Sequence, residues 1–197
     1  TANADDTIRL VQDHVESVNI DVDGVVLTGD PGVTLTASGT WAIDVPAGVS
    51  VTLRDLAVTG GGTDPCMEVS GDALIEDVTF SACDGSNGGA LHVPDPGTAT
   101  VRRTTFTGNT ANRGAHIYAY GPSLVLEDCT LEDGDGSNEG AIHATGSGAL
   151  VIRRTTFRNN QAGDDGGALS LTGSSAEIED CLFEGNDAAN SGGAIFA

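Results

Sequence analysis

The sequence predicts an all-β fold, a single-stranded parallel β-helix (β-solenoid) of about seven coils, and three observations support this prediction. A phrase that opens with an apolar residue recurs along the chain at a nearly constant interval. Within each copy, apolar and polar residues alternate over short stretches. At one point of each copy, a pair of charged residues changes sign from copy to copy. A chain with these properties is expected to wind in equal loops that stack on one another.

The recurring phrase has a period near 26 residues. It reads FTGNTANRGA, FRNNQAGDDGGA and FEGNDAANSGGA in its clearest copies. The aligned first positions are Val58, Phe80, Phe106, Leu131, Phe157 and Phe183, at intervals of 22, 26, 25, 26 and 26 residues. Dividing the 197 residues of the chain by this period gives about seven coils.

Each copy contains three predicted strands. Leu124 and Leu126 alternate with polar residues, as do Cys129 and Leu131, and a skip of three residues between the two pairs marks a bend. A third strand follows each Gly-Ala, and in one copy a residue is inserted after Ala115 before this strand begins. Its inward-facing residues are Leu91 and Val93, Ile117 and Ala119, Ile142 and Ala144, Leu169 and Leu171, and Ile195 and Ala197.

The bend between the first two strands carries the charged pairs. In chain order they are Arg54-Asp55, Glu76-Asp77, Arg102-Arg103, Glu127-Asp128, Arg153-Arg154 and Glu179-Asp180. Because successive coils stack about 4.8 Å apart, each arginine pair should lie between two acidic pairs. Opposite charges on neighbouring strands attract and like charges repel. We therefore interpret the pairs from Arg102 to Asp180 as a structural ladder that fixes the register of the coils, and not as ligand contacts.

Three asparagines that follow the recurring phenylalanine, Asn109, Asn160 and Asn186, predict a second structural column. Stacked amides can hydrogen-bond along the axis and satisfy polar groups where the strand leaves the core. The glycine pairs further on, such as Gly166-Gly167, permit a tight turn with positive φ. No helix follows them, so they are not interpreted as a phosphate-binding loop.

The two ends of the chain differ from its middle. Residues 1–47 repeat less regularly and are assigned to irregular N-terminal coils or a cap, whereas residues 48–197 form the regular repeats of the same domain. Ile8 and Leu10 are expected to start or cap the solenoid, with a helical cap over Thr7–Glu16 as the alternative. The chain stops inside a copy, which predicts further repeats of a longer chain or end-to-end stacking of a second copy into a filament.

The composition excludes several kinds of partner. The chain has 29 acidic residues against 8 arginines and no lysine, for a net charge of -21. Such a charge argues against nucleic acids, whose phosphates it would repel, and against docking on an anionic membrane surface. No run of about 20 apolar residues is present, so no membrane span is expected.

The four cysteines fall into two kinds. Cys129 and Cys181 share one inward-facing column but lie two coils apart, a separation of roughly 9.6 Å. A disulfide requires Cα atoms about 4.4–6.8 Å apart, so these two are expected to be core thiols. Cys66 and Cys83 lie on adjacent coils near a turn, and for them a disulfide and two free thiols both remain open.

Two groups of residues are candidate binding sites. His92 and His143, with Tyr118 between them and Phe196 beyond, are expected to face outward as a contact strip for a glycan or a neighbouring filament. The alternative is a solvated face with no partner. The acidic loop residues Asp133, Asp135 and Glu139 are candidate Ca²⁺ ligands, although they lack the full spacing of an EF-hand loop.

The repeat resembles that of the polymorphic outer-membrane proteins, in which FxxNxA precedes GGA and an aliphatic residue. The matching residues are Phe183, Asn186, Ala188, Gly192, Gly193, Ala194 and Ile195, and Phe157, Asn160, Ala162, Gly166, Gly167, Ala168 and Leu169. Residues 106–115 match with one glycine lost, while Cys83 and Gly134 stand where the family has asparagine. Over roughly residues 72–197, the resemblance implies a right-handed β-helix, and a place at the bacterial surface, where several family members are adhesins.

We therefore expect a non-catalytic, extracellular or cell-surface module with a structural, adhesive or filament-forming role and no cofactor other than Ca²⁺. The alternative is a carbohydrate-active β-helix, a polysaccharide lyase or hydrolase, or a fragment of one. Of the NTD, DD, GHG and RIK segments typical of polygalacturonase-type hydrolases, DD alone is present, for example at Asp164-Asp165. No nucleophile motif of the G-x-S-x-G kind occurs either.

Overall fold

The computed structural model describes residues 3–121, 123–146 and 148–197, and their regular elements are all strands. In chain order the strands are β1 Thr7–Leu10, β2 His14–Val15, β3 Val18–Asn19, β4 Val25–Gly29, β5 Thr34–Thr36, β6 Ile43–Val45, β7 Ser50–Gly61, β8 Met67–Val69, β9 Asp72–Asn87, β10 Leu91–Val93, β11 Thr98–Arg102, β12 Thr105–Thr107, β13 Thr110–Arg113, β14 Ile117–Tyr120, β15 Leu124–Glu127, β16 Thr130–Glu132, β17 Asp135–Glu139, β18 Ile142–Thr145, β19 Ala149–Arg153, β20 Thr156–Arg158, β21 Gln161–Ala162, β22 Leu169–Thr172, β23 Ser175–Glu179, β24 Leu182–Glu184, β25 Asp187–Ala188 and β26 Ile195–Phe196.

These strands form two parallel sheets that wrap around one core. The small sheet contains β3, β6, β8, β10, β14, β18, β22 and β26, and the large sheet contains the remaining strands. Phe106 pairs with Phe80 in the coil before it and with Leu131 in the coil after it. The predicted β-solenoid of about seven coils is thereby confirmed.

The core is a row of apolar side chains, one from each coil at each inward position. Phe80, Phe106 and Phe157 are completely buried. The Phe80 and Phe106 rings stack with centroids 5.1 Å apart, and Phe157 stacks on Phe183 at 4.9 Å. Leu131 separates the two stacks. Burial of each such side chain stabilises the fold by about 1.5–3 kcal/mol, so the apolar columns are its main source of stability.

The bend between the first two strands turns on one residue in the left-handed region. In each charged pair the second residue has a φ of 48–56°, namely Asp55, Asp77, Arg103, Asp128, Arg154 and Asp180. A single left-handed residue sharply redirects the chain, which explains the skip of three residues in the apolar pattern. Aspartate tolerates this region better than most residues, whereas Arg103 and Arg154 occupy it at a conformational cost.

Three features differ from the sequence prediction or refine it. A regular coil has four short strands, because β13, β17, β21 and β25 pair with one another after the phenylalanine column. Residues 7–10 form β1, which pairs with β4, so the alternative of a helical cap over Thr7–Glu16 is wrong. The first coil is short, since Thr7 lies opposite Val26, only 19 positions further on. Residues 1 and 2 of the predicted N-terminal part lie outside the described residues.

Candidate functional site on the small sheet

The outward-facing residues of the small sheet form a continuous column, which we call the outer strip. Side chains alternate along a strand, so Leu91 and Val93 face the core while His92 faces outward. The register of the strands places one such residue on each coil. The strip consists of Asp44, Glu68, His92, Tyr118, His143, Ser170 and Phe196.

The middle of the outer strip is a stack of three rings. Tyr118 lies between His92 and His143, with ring centroids 5.3 Å and 5.4 Å away, and it is parallel to the His143 ring within 2°. Tyr118 is only 8% exposed and His143 only 6%. Tyr118 and His143 face away from the core, but neighbouring rings cover their faces, so little of either side chain is open to solvent. Ser170 separates Phe196 from this stack.

The end of the strip nearer the N-terminus carries two carboxyl groups in different environments. Burial, together with the adjacent charge of Glu68, raises the pKa of Asp44. The pKa of Glu68 is lowered, chiefly by its hydrogen bond to His92 Nδ1 at 3.3 Å. The buried indole N–H of Trp41 has no partner within hydrogen-bond distance, yet it lies close enough to Glu68 to lower that pKa further. Two neighbouring carboxyl groups with opposite pKa shifts can divide the roles of acid and base.

Sequence reasoning missed Trp41, Asp44 and Glu68. The signal was present as a triplet in which one polar residue stands between two apolar ones. The triplets Ile43-Asp44-Val45, Met67-Glu68-Val69 and Leu91-His92-Val93 occupy equivalent positions on successive strands. The irregular intervals in the first part of the chain concealed this alignment.

A second polar cluster lies beside His143. Its Nδ1 atom is 4.0 Å from Glu139 Oε1, and the Arg113 Nε atom is 3.9 Å from Glu139 Oε2. Burial raises the pKa of Glu139, and Asp164 and Asp165 add to this effect, while Arg113 opposes it. Burial, reinforced by Arg113, lowers the pKa of His143 to about 4. At neutral pH the His143 imidazole is therefore uncharged.

The predicted calcium ligands are not gathered around one point. Asp133 accepts a hydrogen bond from Asn159, Asp135 pairs with Thr110 and Gln161 on its neighbouring strands, and Glu139 lies near Arg113. Across the described residues, no group of three or more His, Cys, Asp or Glu side chains has an arrangement that could hold a metal ion. Calcium at Asp133, Asp135 and Glu139 remains a prediction.

The charged ladder runs along the outside of the bend. Arg102 Nε lies 3.1 Å from Glu127 Oε2, and Arg153 Nε lies 3.2 Å from Glu179 Oε2. The left-handed arginines reach the preceding coil: Arg103 makes two hydrogen bonds to Asp77, and Arg154 makes two to Asp128. These guanidinium groups lower the pKa of Asp77 and of Asp128. No ion pair is formed by Asp180 within the described residues.

The asparagine column lies inside the turn that follows the phenylalanines. Asn160 and Asn109 are completely buried. Asn160 Nδ2 donates to the carbonyl oxygen of Leu131 and to Asn186 Oδ1, and Asn186 Nδ2 donates to the carbonyl oxygen of Phe157. The column is not continuous, because a histidine that the sequence prediction did not include, His116, stands between Asn109 and Asn160.

The structure decides between the two alternatives that the sequence left open for Cys66 and Cys83. Cys66 and Cys83 are joined by a disulfide with Cα atoms 5.7 Å apart. Cys129 and Cys181 are free thiols. Burial raises the pKa of Cys129 to about 11, so its thiol is protonated and unreactive at neutral pH.

Two open grooves lie on the large-sheet side of the molecule. One, of about 360 Å³, is lined by Thr52, Leu74, Thr100 and Arg102 among others. The other, of about 380 Å³, lies over β13 and is lined by Asp84, Thr110 and Asp135 among others. In the first groove Arg102 is already paired with Glu127. Neither groove therefore combines acidic residues with an unpaired arginine.

A family model described as the right handed beta helix region matches residues 22–197. The chain belongs to this family, which confirms the expected handedness of the solenoid. No curated protein and no solved structure is similar enough to the chain to match it. The narrower likeness to the polymorphic outer-membrane proteins remains a resemblance of motifs. The described residues contain no helix with the length and apolar character needed to cross a membrane.

Proposed function

We propose that the chain is a non-catalytic β-helical module that works outside the cell, as a rigid spacer with the outer strip as its adhesive surface. This proposal rests chiefly on the contacts that the arginine side chains make. Arg102, Arg103, Arg153 and Arg154 each contact a carboxylate on a neighbouring coil. The arginines thus hold coils together and are not directed at a bound substrate.

The extracellular setting is supported by the cysteines and the surface charge. Disulfides form and persist in oxidising compartments, and Cys66 and Cys83 have the geometry of one. A net charge of -21 keeps such a rod soluble and apart from like-charged surfaces. Attachment at a bacterial surface follows from the motif resemblance and belongs to the proposal.

The ring stack favours an adhesive surface over a sugar-stacking cleft. A sugar ring binds against an open aromatic face, but the faces of Tyr118 are covered by His92 and His143. At the acidic end of the strip, Asp44 and Glu68 are half-buried, as is Trp41 beside Glu68, so their polar groups remain partly accessible. We therefore assign the contact to polar groups at this end.

Binding of the immobilised chain to a panel of extracellular-matrix proteins and cell-surface glycans tests the proposal. The variant Asp44→Asn with Glu68→Gln should lose binding. The matched control Asp55→Asn with Asp187→Asn removes the same charge from exposed positions elsewhere and should retain it. Equal binding by both double variants would exclude the outer strip as the contact surface.

Polysaccharide cleavage is the second candidate function, and the opposite pKa shifts of Asp44 and Glu68 favour it. In this case Asp44 would supply a proton as general acid, and Glu68 would act as the ionised partner. The test measures new reducing ends after incubation with acidic and neutral polysaccharides. Activity that is lost in both Asp44→Asn and Glu68→Gln would support cleavage and contradict the non-catalytic proposal. A parent chain that binds a glycan without cleaving it would exclude this candidate.

A further inference from the structure

The asparagine column has a gap that another residue fills. Gly134 stands in the coil between Asn109 and Asn160, where the repeat would have its asparagine. The inserted residue that follows Ala115 is His116, and its side chain is completely buried at this level of the column. One coil has thus lost an amide, and the preceding coil has gained an imidazole that replaces it.

The two substitutions fit each other sterically. A Cβ atom added to Gly134 would lie 2.7 Å from His116 Nε2 and 2.9 Å from Asn160 Oδ1. Any side chain at residue 134 would therefore displace the imidazole. The absence of a side chain there and the extra residue after Ala115 are two parts of one arrangement.

The hydrogen bonds require a neutral imidazole of one tautomer. Asn109 Nδ2 donates to His116 Nδ1 at 2.9 Å, and His116 Nε2 donates to Asn160 Oδ1 at 3.0 Å. The Asn160 oxygen also accepts the backbone N–H of Gly134. The imidazole therefore links its own coil to the coil two further along the axis, by accepting a hydrogen bond from Asn109 and donating one to Asn160.

Asn109 cannot turn its amide around to suit a protonated imidazole. Its Oδ1 accepts the backbone N–H of Cys83, and its Nδ2 donates to the carbonyl oxygen of Phe80. In a reversed amide, the NH2 group would face the backbone N–H of Cys83, and the oxygen would face the carbonyl oxygen of Phe80. Protonation of His116 Nδ1 would instead set two N–H donors against each other inside a buried site.

We propose that His116 is an acid-sensitive clasp, whose protonation breaks the contact with Asn109 and opens the turns around Asn109, Gly134 and Asn160. The coils of a solenoid contact only their neighbours, so the opening stays local. Coils further along the axis keep their pairing. The module would then loosen at this point when its surroundings become acidic.

The charges around the imidazole define the pH range. Burial lowers the pKa of His116 to about 4 from an ordinary value of 6.5, and the hydrogen bond to Asn160, the negative charge of Asp133 and the backbone of Glu132 only partly oppose this effect. The tilted Phe106 ring, at a centroid distance of 6.0 Å, supplies no charge. Because the folded-state pKa is depressed, the contribution of His116 to stability is complete above pH 6.5. It falls as the pH drops towards 4.

The most direct test is an NMR titration of the histidine ring protons in the unaltered protein, combined with amide exchange at pH 7 and pH 4.5. We expect His116 to titrate near pH 4. Protonation of His116 should lower the folding equilibrium constant roughly a hundredfold between pH 7 and this pH. Protection should be lost first in residues 108–116, 132–140 and 158–166. Residues 50–60, on an earlier coil, should remain protected.

The variant His116→Gln retains a donor and an acceptor but does not titrate, and it should lose most of this local response to acid. His14→Gln, on the partly exposed β2, is the matched control and should respond as the parent does. The proposal is overturned if His116 titrates near 6.5, or if acid opens other turns before these three. It is also overturned if a folded His116→Gln variant opens at these turns as readily as the parent.

Discussion

At the scale of single residues, the turn that follows the phenylalanine column shows how the left-handed conformation lowers the stability of the fold. Ala82 and Gly108 occupy equivalent places after the phenylalanine column, with φ values of 51° and 58°. Both are exposed. A Cβ atom at Gly108 would meet nothing within 4 Å, so the backbone conformation is the main difference between an alanine and a glycine at this corner.

We predict that Ala82→Gly stabilises the protein and Gly108→Ala destabilises it, each by about 1 kcal/mol. The physical reason is the contact between Cβ and the following carbonyl oxygen in the left-handed region. Urea denaturation of the two variants and the parent measures both effects. Shifts of the same sign in the two variants would contradict this account.

Asn160 is the residue of the amide column with the most partners. Its fully buried side chain forms hydrogen bonds with Gly134, Leu131, His116 and Asn186. We predict that Asn160→Ala lowers the free energy of unfolding by about 3 kcal/mol, because several buried groups lose their partners at once. Asn112→Ala, at an exposed position on β13 two coils earlier, is the control and should change it little. An equal, small effect in both variants would show that the amide column is not structural.

At the scale of the strands, the charged ladder helps to fix the register between neighbouring coils. Arg102 lies between Glu76 and Glu127, at 3.8 Å and 3.1 Å. We predict that Arg102→Glu lowers the melting temperature by about 3 °C through repulsion from both neighbours. Adding Glu127→Arg restores one opposite pair but also opposes Arg153, 3.8 Å from Glu127, so the double variant should recover part of the summed loss of the two single variants. Recovery is measured by a double-mutant cycle, and additive losses would contradict the ladder.

The strands were predictable from the sequence because each coil repeats the same local rules. The alternation around Leu124 and the skip before Cys129 are enough to place two strands and a bend. The left-handed residue at the bend was not predicted, because arginine is uncommon in that conformation and only the three-dimensional course of the chain requires it. The short fourth strand was missed because pairs such as Gln161-Ala162 are too short to show a period.

The candidate site was less predictable than the fold. Sequence reasoning found His92, Tyr118 and His143 as a column but could not show that stacking would bury Tyr118 and His143. Their burial depends on how closely adjacent coils pack, and the sequence of a single repeat does not reveal this packing. Asp44 and Glu68 were missed since the early coils have irregular lengths, and the pKa shifts of their carboxyl groups arise only from contacts between coils.

At the scale of the whole molecule, stacking of successive coils accounts for the columns described above. The apolar columns, the charged ladder, the amide column and the outer strip are each built from positions that recur from coil to coil. Self-association through coil stacking remains a prediction, which sedimentation velocity over a range of concentrations would test. A rod assembled in this way offers a long lateral surface, in accordance with the proposed role as a spacer with an adhesive strip.

The most direct test of coil stacking is a series of spin-label distances along one outward-facing column of the large sheet. Thr52, Val125, Val151 and Glu177 belong to this column, on strands that pair in register. Labels are introduced as cysteines in a background with Cys129→Ala and Cys181→Ala. From Thr52 to the three later positions, the distance should grow by about 4.8 Å with each added coil. Distances that do not increase in equal steps would contradict the stacked solenoid and everything inferred from it.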